Sequence, residues 1–153
     1  MTVEYRELGA RDATLLVDLM DAVVPDWRRR EVEGGPDRFL ADPNTLVLGA
    51  FDVASGVPLP VGWAWAVGIR QPNGWSMAYL HQLDVVASHR RRGIGRQLVE
   101  HAMAVARQRG HDRFWLSTGG HNEVANAMYA SLGGERKELG DVNYWWQLVE
   151  RSD

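Results

Sequence analysis

Four arginines and two glycines fall within residues 90–96, in the order Arg90-Arg91-Arg92-Gly93-Ile94-Gly95-Arg96. Arginine presents a planar, permanently charged set of donors suited to phosphate oxygens. Glycine removes the Cβ that would keep an anion away from backbone N–H groups. A helical pattern begins at once after this segment, and the first N–H groups of a helix have no intrahelical partner and carry about half a positive charge. The combination reads as a cradle for a phosphorylated ligand. Two other readings compete. A solvated helix start would not need two glycines, each costing ~1 kcal/mol against alanine within a helix. A nucleic-acid surface spreads its basic charge over a face. Here the charge sits at one point: the remaining thirteen basic residues stand against twenty acidic ones, a balance of −7 within a net charge of −3. That distribution suits a small polyanion at the segment, and a cationic second ligand drawn by the acidic remainder. The familiar phosphate loops do not match. No GxxxxGK[ST] occurs, and "GIGRQL" has Leu98 where a dinucleotide fingerprint needs its third glycine.

The other chemistry-bearing residues are sparse. The chain has no cysteine, which excludes disulfides, zinc–thiolate sites and thiol nucleophiles. Its five histidines form no HxH or HxxxH pair, so no metal is expected.

These residues need elements to hold them. At 153 residues, 45% hydrophobic and 24% charged, the chain is expected to form a single domain over 1–153. It has no apolar run of transmembrane length, and "MTVEYRELGARDATLL" has no apolar signal-peptide region, so a cytoplasmic location is expected. "VEYREL" alternates as a strand. "ARDATLLVDLMDAV" carries Leu15, Leu16, Leu19, Met20 and Val23 at helical spacing, with Asp12 as N-cap and Pro25 as its limit. "PDWRRREVEGGPDRFLADPN" reads as a loop holding a short helix and broken by Gly34-Gly35-Pro36. Strands follow at Thr45–Val53, Val61–Ile69 and Trp75–Val86. On the third, alternation predicts that Tyr79, His81, Leu83 and Val85 share one face and Gln82 and Asp84 the other. Beyond the arginines, Leu98, Val99, Ala102, Val105 and Ala106 make a helical stripe ending at Gly110. "DRFWLST" predicts a fifth strand, "NEVANAMYASLGG" a helix capped by Asn122, and "VNYWWQLV" a final strand. The order βα(α)βββαβαβ implies an α/β (α+β) fold with helices on both faces of a mixed sheet.

"LDVVASHRRRGIGRQL" resembles the acyl-CoA binding motif of the GNAT superfamily of N-acetyltransferases. That motif reads [QR]-x-x-G-x-[GA], here Arg90 to Gly95, after a strand of the form L-x-V-x-P, here Leu83, Val85 and, in place of proline, Ala87. A second family pattern, N-x-x-A-x-x-x-Y-x-x-x-G-F, matches Asn122, Ala125, Tyr129 and Gly133, with Gly134 where phenylalanine is usual. The resemblance implies a mixed, mostly antiparallel central sheet with helices on both faces. It implies acetyl-CoA as cosubstrate, with its pyrophosphate on Arg90, Arg91, Arg92, Gly93, Ile94, Gly95 and Arg96. The pantetheine arm would lie along the backbone of Leu83 and Val85, with Asn122 either holding that arm or only capping its helix.

By the same likeness Tyr129 is the general acid for the departing thiolate. His81 or Asp84 is the general base, with His121 and Glu123 further from the expected position. Trp27 lies where the family varies its acceptor site, and Glu123 is a candidate acceptor contact. The hairpin and "HRRRGI" wording are also similar to small aminoglycoside 3-N-acetyltransferases. The expected partner is then a small-molecule amine, such as an aminoglycoside, with neither nucleic acid nor membrane and with a homodimer left open. A protein, peptide or metabolite amine is the alternative acceptor, and a non-catalytic acyl-CoA sensor the alternative class.

Overall fold

In the computed structural model, residues 1–24, 32–140 and 142–148 are described. Five strands form one sheet in the order β1-β2-β3-β4-β5: Val3–Leu8, Thr45–Asp52, Leu59–Arg70, Ser76–Val85 and Arg113–Leu116. The first four are antiparallel, and β5 joins β4 in parallel. Helices α1 (Ala13–Val23) and α2 (Gly35–Ala41) lie on one face, and α3 (Ile94–Gln108) and α4 (Glu123–Ser131) on the other. The strand–helix–strand passage from β4 through α3 to β5 explains the parallel pair, because a parallel return needs a crossover. Among the described residues no helix is long and apolar enough to cross a membrane.

The residue pattern accounts for these layers. Leu46 through Phe51 are all buried, because β2 is a central strand with helices on both sides. One side of the sheet packs Leu48, Ala50, Ala64 and Leu80 under Leu98, Val99, Ala102 and Ala106 of α3. The other packs Val47, Phe51 and Trp63 under Leu16 and Leu19 of α1. Gly49 lets α1 approach: a Cβ there would stand 2.7 Å from the Phe51 ring and 2.8 Å from Leu19 Cδ1.

Four expectations change. Asp12 sits at the N-cap position of α1, but its carboxylate accepts from the Gly9 amide (2.8 Å) and makes no cap bond into the helix. Gly35 and Pro36 begin α2 and do not break it, since proline's fixed φ suits a first helical turn. Residues 142–148, expected to be a strand, have no regular secondary structure and are exposed; Trp145 and Leu148 are 93% and 90% accessible. Alternating side chains make a strand only where a neighbour supplies backbone partners. The fourth change concerns β4 and bears directly on the site.

Candidate active site

Strand β4 carries a β-bulge. Trp65 pairs with Gln82 and Ala66 pairs with Leu80, so His81 is the extra residue. One added residue inverts the alternation beyond it. Leu83 and Val85 therefore join Ala78 and Leu80 on the α3 side, while Tyr79, His81, Gln82 and Asp84 all turn toward the α1 side. The expectation that His81 and Leu83 share a face is corrected by this bulge.

The bulge also ends the neighbouring ladder. Strand β5 pairs with β4 only from Met77 to Leu80. Beyond that point the two strands separate, and a groove of about 570 Å³ opens between them. Its walls include Leu83 and Val85 from β4, Ser117 after β5, and Asn122, Met128 and Tyr129 from α4 and its cap. At one end it reaches Arg90 and Gly95, and at the bulge it reaches His81 and Gln82. The backbone edge of β4 along this groove has no strand partner among the described residues.

The arginine segment forms the turn into α3. Val86 donates its amide to the Val61 carbonyl (2.9 Å), a single 3-10 turn spans Ala87–His89, and Arg90 Nε returns to the Val85 carbonyl (3.0 Å). Arg91 has φ 64° and Gly93 φ 80°, both left-handed. Such a φ is strained for a residue with a Cβ, so Arg91 is held there by its surroundings. Gly93 is the N-cap of α3 and offers no side-chain cap to its amides, and the first turn has no acid. A Cβ on Gly93 would meet no atom within 4 Å; one on Gly95 would reach toward the groove, 3.8 Å from Met128 Sδ and 3.9 Å from Leu83. The helix start is thus open on the side facing the groove, as an anion site requires.

The expected cradle residues divide by role. Ile94 is 2% accessible and belongs to the core, so only its backbone is available. Arg96 donates to Ser131 Oγ (2.6 Å) on α4, which ties the two helices together, and pairs with Glu100 (3.3 Å) one turn on within α3. Arg92 reaches Met1 Sδ (3.4 Å). Asn122 Oδ1 accepts from the Ala125 amide (3.2 Å), so capping accounts for its side chain.

Among the proton-transfer candidates, Tyr129 is half-buried against the α3-side core, and its hydroxyl makes no hydrogen bond to a described residue. Burial raises the phenol above its ordinary value, which keeps the proton on oxygen. His81 is exposed, stacked on Trp65 (4.4 Å between ring centres) and edge-on to Tyr79, at the point where the strands part. Asp84 is occupied: its Oδ2 accepts from Trp63 Nε1 (3.1 Å) and Gln82 Nε2 (2.7 Å), while Gln82 accepts from Trp65 Nε1 (3.2 Å). His121 and Glu123 are exposed around the start of α4. Trp27 lies outside the described residues. The aromatic row of Trp65, His81, Tyr79 and Trp115, with Tyr79 and Trp115 4.3 Å apart, was not foreseen. It depends on cross-strand register, which no local pattern encodes.

With this geometry in view, the comparison with known proteins decides the family. The sequence matches the acetyltransferase (GNAT) family over residues 16–133. This chain belongs to that family. Streptothricin acetyltransferase of Streptomyces lavendulae is 30% identical over 112 residues, covering 72% of this chain and 54% of that protein. N-acetyltransferase 8F1 of Rattus norvegicus is 28% identical over 102 residues, covering 66% of this chain and 46% of that protein. The chain thus spans about half the length of these curated relatives. Among solved structures, an aminoglycoside acetyltransferase from an uncultured soil metagenomic sample, in complex with trehalose, superposes with a TM-score of 0.80. It has 18% identity, covering 96% of this chain and 97% of that one. A second aminoglycoside acetyltransferase of similar source gives 0.77 at 24% identity, covering 98% of this chain and 100% of that one. These likenesses establish the fold: the mostly antiparallel sheet with helices on both faces is that of a GNAT domain.

Proposed function

We propose that this domain transfers an acetyl group from acetyl-CoA to a primary amine of a small molecule. The observation that carries the reading is the continuity of the groove. It joins the unpartnered edge of β4, the open N-terminus of α3 and the Tyr129 side chain in one cavity. The residues fit the cosubstrate: Arg90, Arg91 and Arg92 supply charge beside the helix start, Gly93 and Gly95 leave its amides accessible, and the Leu83–Val85 backbone offers donors and acceptors to an amide-bearing arm. Acetyl-CoA supplies an acyl thioester, and the protein's own groups move the protons.

His81 is the better base on geometry, being exposed at the groove while Asp84 Oδ2 is held by two donors. It would take the proton of the incoming ammonium, directly or through water. The amine nitrogen then bonds to the carbonyl carbon and the carbon–sulfur bond breaks; the Tyr129 hydroxyl donates its proton to the leaving thiolate, and the second proton that the nitrogen loses on becoming a neutral amide restores the phenol through water. The cysteine-free sequence fits direct transfer without an acyl-enzyme.

For the acceptor, the charge balance of −7 outside the arginine segment supports a polycation such as an aminoglycoside, the class named for the metagenomic enzymes. A second reading, a metabolite amine of low charge, is supported by the groove itself: no described residue lining it is acidic. A panel of amines assayed with acetyl-CoA by release of free thiol tests both. Turnover of aminoglycosides with a KM that rises with salt supports the polycation. Equal turnover of neutral and polycationic amines without salt dependence overturns it. No thiol release with any amine, by protein that binds CoA, overturns catalysis.

A further inference from the structure

The turn that carries the arginines is anchored by a contact outside the family's motif. His89 Nε2 stands 3.3 Å from Asp52 Oδ2, at the far end of β2, and His89 Nδ1 stands 2.9 Å from Ser88 Oγ. Both side chains are largely buried, 13% and 16% accessible. In either protonation pattern that satisfies both contacts, Nε2–H donates to the carboxylate, while Nδ1 accepts from the Ser88 hydroxyl or, in the imidazolium, donates to its oxygen. The carboxylate is itself fixed, since its Oδ1 accepts from the amides of Thr2 (3.3 Å) and Ala54 (3.1 Å). One side chain thus joins the start of β1, the turn after β2 and the turn before α3.

The strain two residues on gives this clasp a purpose. Arg91 holds a left-handed φ of 64°, a strained state that persists only where the surroundings impose it. Residues 86–93 are held by the bonds of the turn itself (His89 N to the Val86 carbonyl, 2.9 Å; Arg90 N to the Ala87 carbonyl, 3.4 Å), by the Val86 amide on Val61 and its side chain against the α3-side core, by Arg90 on Val85, by Arg92 on Met1, and by the His89–Asp52 contact. Among the described polar side chains of the turn, His89 is the one that reaches a charged group on another element, since Arg90 meets a backbone carbonyl of β4 and Arg92 a thioether. We infer that His89 and Asp52 are positioning residues that hold the Arg91–Gly93 turn in its strained form and thereby set the affinity for the CoA pyrophosphate. This inference rests on the proposed use of the segment. The clasp touches neither the thioester nor the amine, so it acts on binding and leaves the chemical step alone.

The test is calorimetric titration of the full chain with CoA, together with steady-state kinetics and a thermal melt, for His89→Leu, His89→Gln and Asp52→Asn. His89→Leu, which removes the donor to the carboxylate, should weaken CoA binding about tenfold, and Asp52→Asn, whose amide can still donate to the other imidazole tautomer, should weaken it less. The rate at saturating acetyl-CoA should stay within twofold. His89→Gln, whose amide can still donate to Asp52, should recover most of the affinity. Should His89→Leu fail to fold, His89→Phe, which keeps a planar ring and has no donor for the carboxylate, takes its place. Unchanged Kd in the folded variants, or a fall in kcat with Kd intact, overturns the inference while leaving the acetyltransferase reading in place. No CoA binding by the unmodified protein overturns both.

Discussion

The two halves of β4 belong to one strand and have opposite roles. From Ser76 to Leu80 the strand is hydrogen-bonded to β3 on one side and β5 on the other, and Ser76, Ala78 and Leu80 are buried. From Gln82 to Val85 its one strand partner among the described residues is β3, and the other edge borders the groove. Composition marks the halves in part, since "SMAYL" is mostly apolar and "HQLDV" carries His81, Gln82 and Asp84, yet both run as one strand. A single extra residue at the bulge sets their pairing. It stops the parallel ladder and places Tyr79, His81, Gln82 and Asp84 together on the face away from Tyr129. Where a strand is fully paired its side chains hold the core. Where one edge is released, its backbone becomes available to a ligand.

The sharpest test of this contrast lies on the open half's far wall. Tyr129→Phe removes one oxygen and keeps the ring in its packing. It should lower kcat by ~10²–10⁴-fold, about 3–5 kcal/mol, with CoA affinity unchanged. Steady-state kinetics and a melt on one sample check it; a lower Tm with normal kcat would make Tyr129 a packing residue. Next, Leu80→Ala and Leu83→Ala apply the same deletion on either side of the bulge. Leu80→Ala, at 4% accessibility, should cost about 2–5 kcal/mol in denaturant unfolding. Leu83→Ala, partly buried at the groove wall, should cost less and raise the KM for acetyl-CoA more. Equal stability losses would remove the distinction.

Smaller effects sharpen the picture. Gly95→Ala adds a Cβ at ordinary contact distances, 3.8–3.9 Å, inside a helix. The variant should be more stable by about 0.4–1 kcal/mol, yet bind CoA more weakly, because the methyl projects where the ligand would lie. Tighter or equal binding would place the pyrophosphate elsewhere. The smallest effect concerns His111, away from the groove. Removal from water first, then the Arg70 and Arg109 charges, lower its basicity, and its buried Nδ1 has no partner among the described residues. The unfolded chain takes up a proton below about pH 6.5 more readily than the native one. Stability is therefore full above that pH and falls as the solution is acidified. The melting temperature should drop by a few degrees from pH 7.5 to pH 5.5, and His111→Gln should flatten that drop.

The elements and the arginine turn were legible in the sequence because their causes are local. The stripe from Leu98 to Ala106 specifies α3, Gly110 with φ 82° ends it, and Asn122 caps α4 through its own side chain. The cradle could be read for the same reason, since charge and the lack of a Cβ belong to single residues. Tertiary structure alone decided the rest. The bulge at His81 is a property of the pairing between β3 and β4, so an alternating sequence gives no sign of it. Asp84 could not be distinguished from His81 until Trp63, 21 residues earlier, was seen to occupy it. Asp52 and His89 stand 37 positions apart and meet only because the sheet brings the ends of β2 and β4 to one side. Residues 142–148 have the alternation of a strand without being one, because strand formation requires backbone partners that the segment cannot provide for itself.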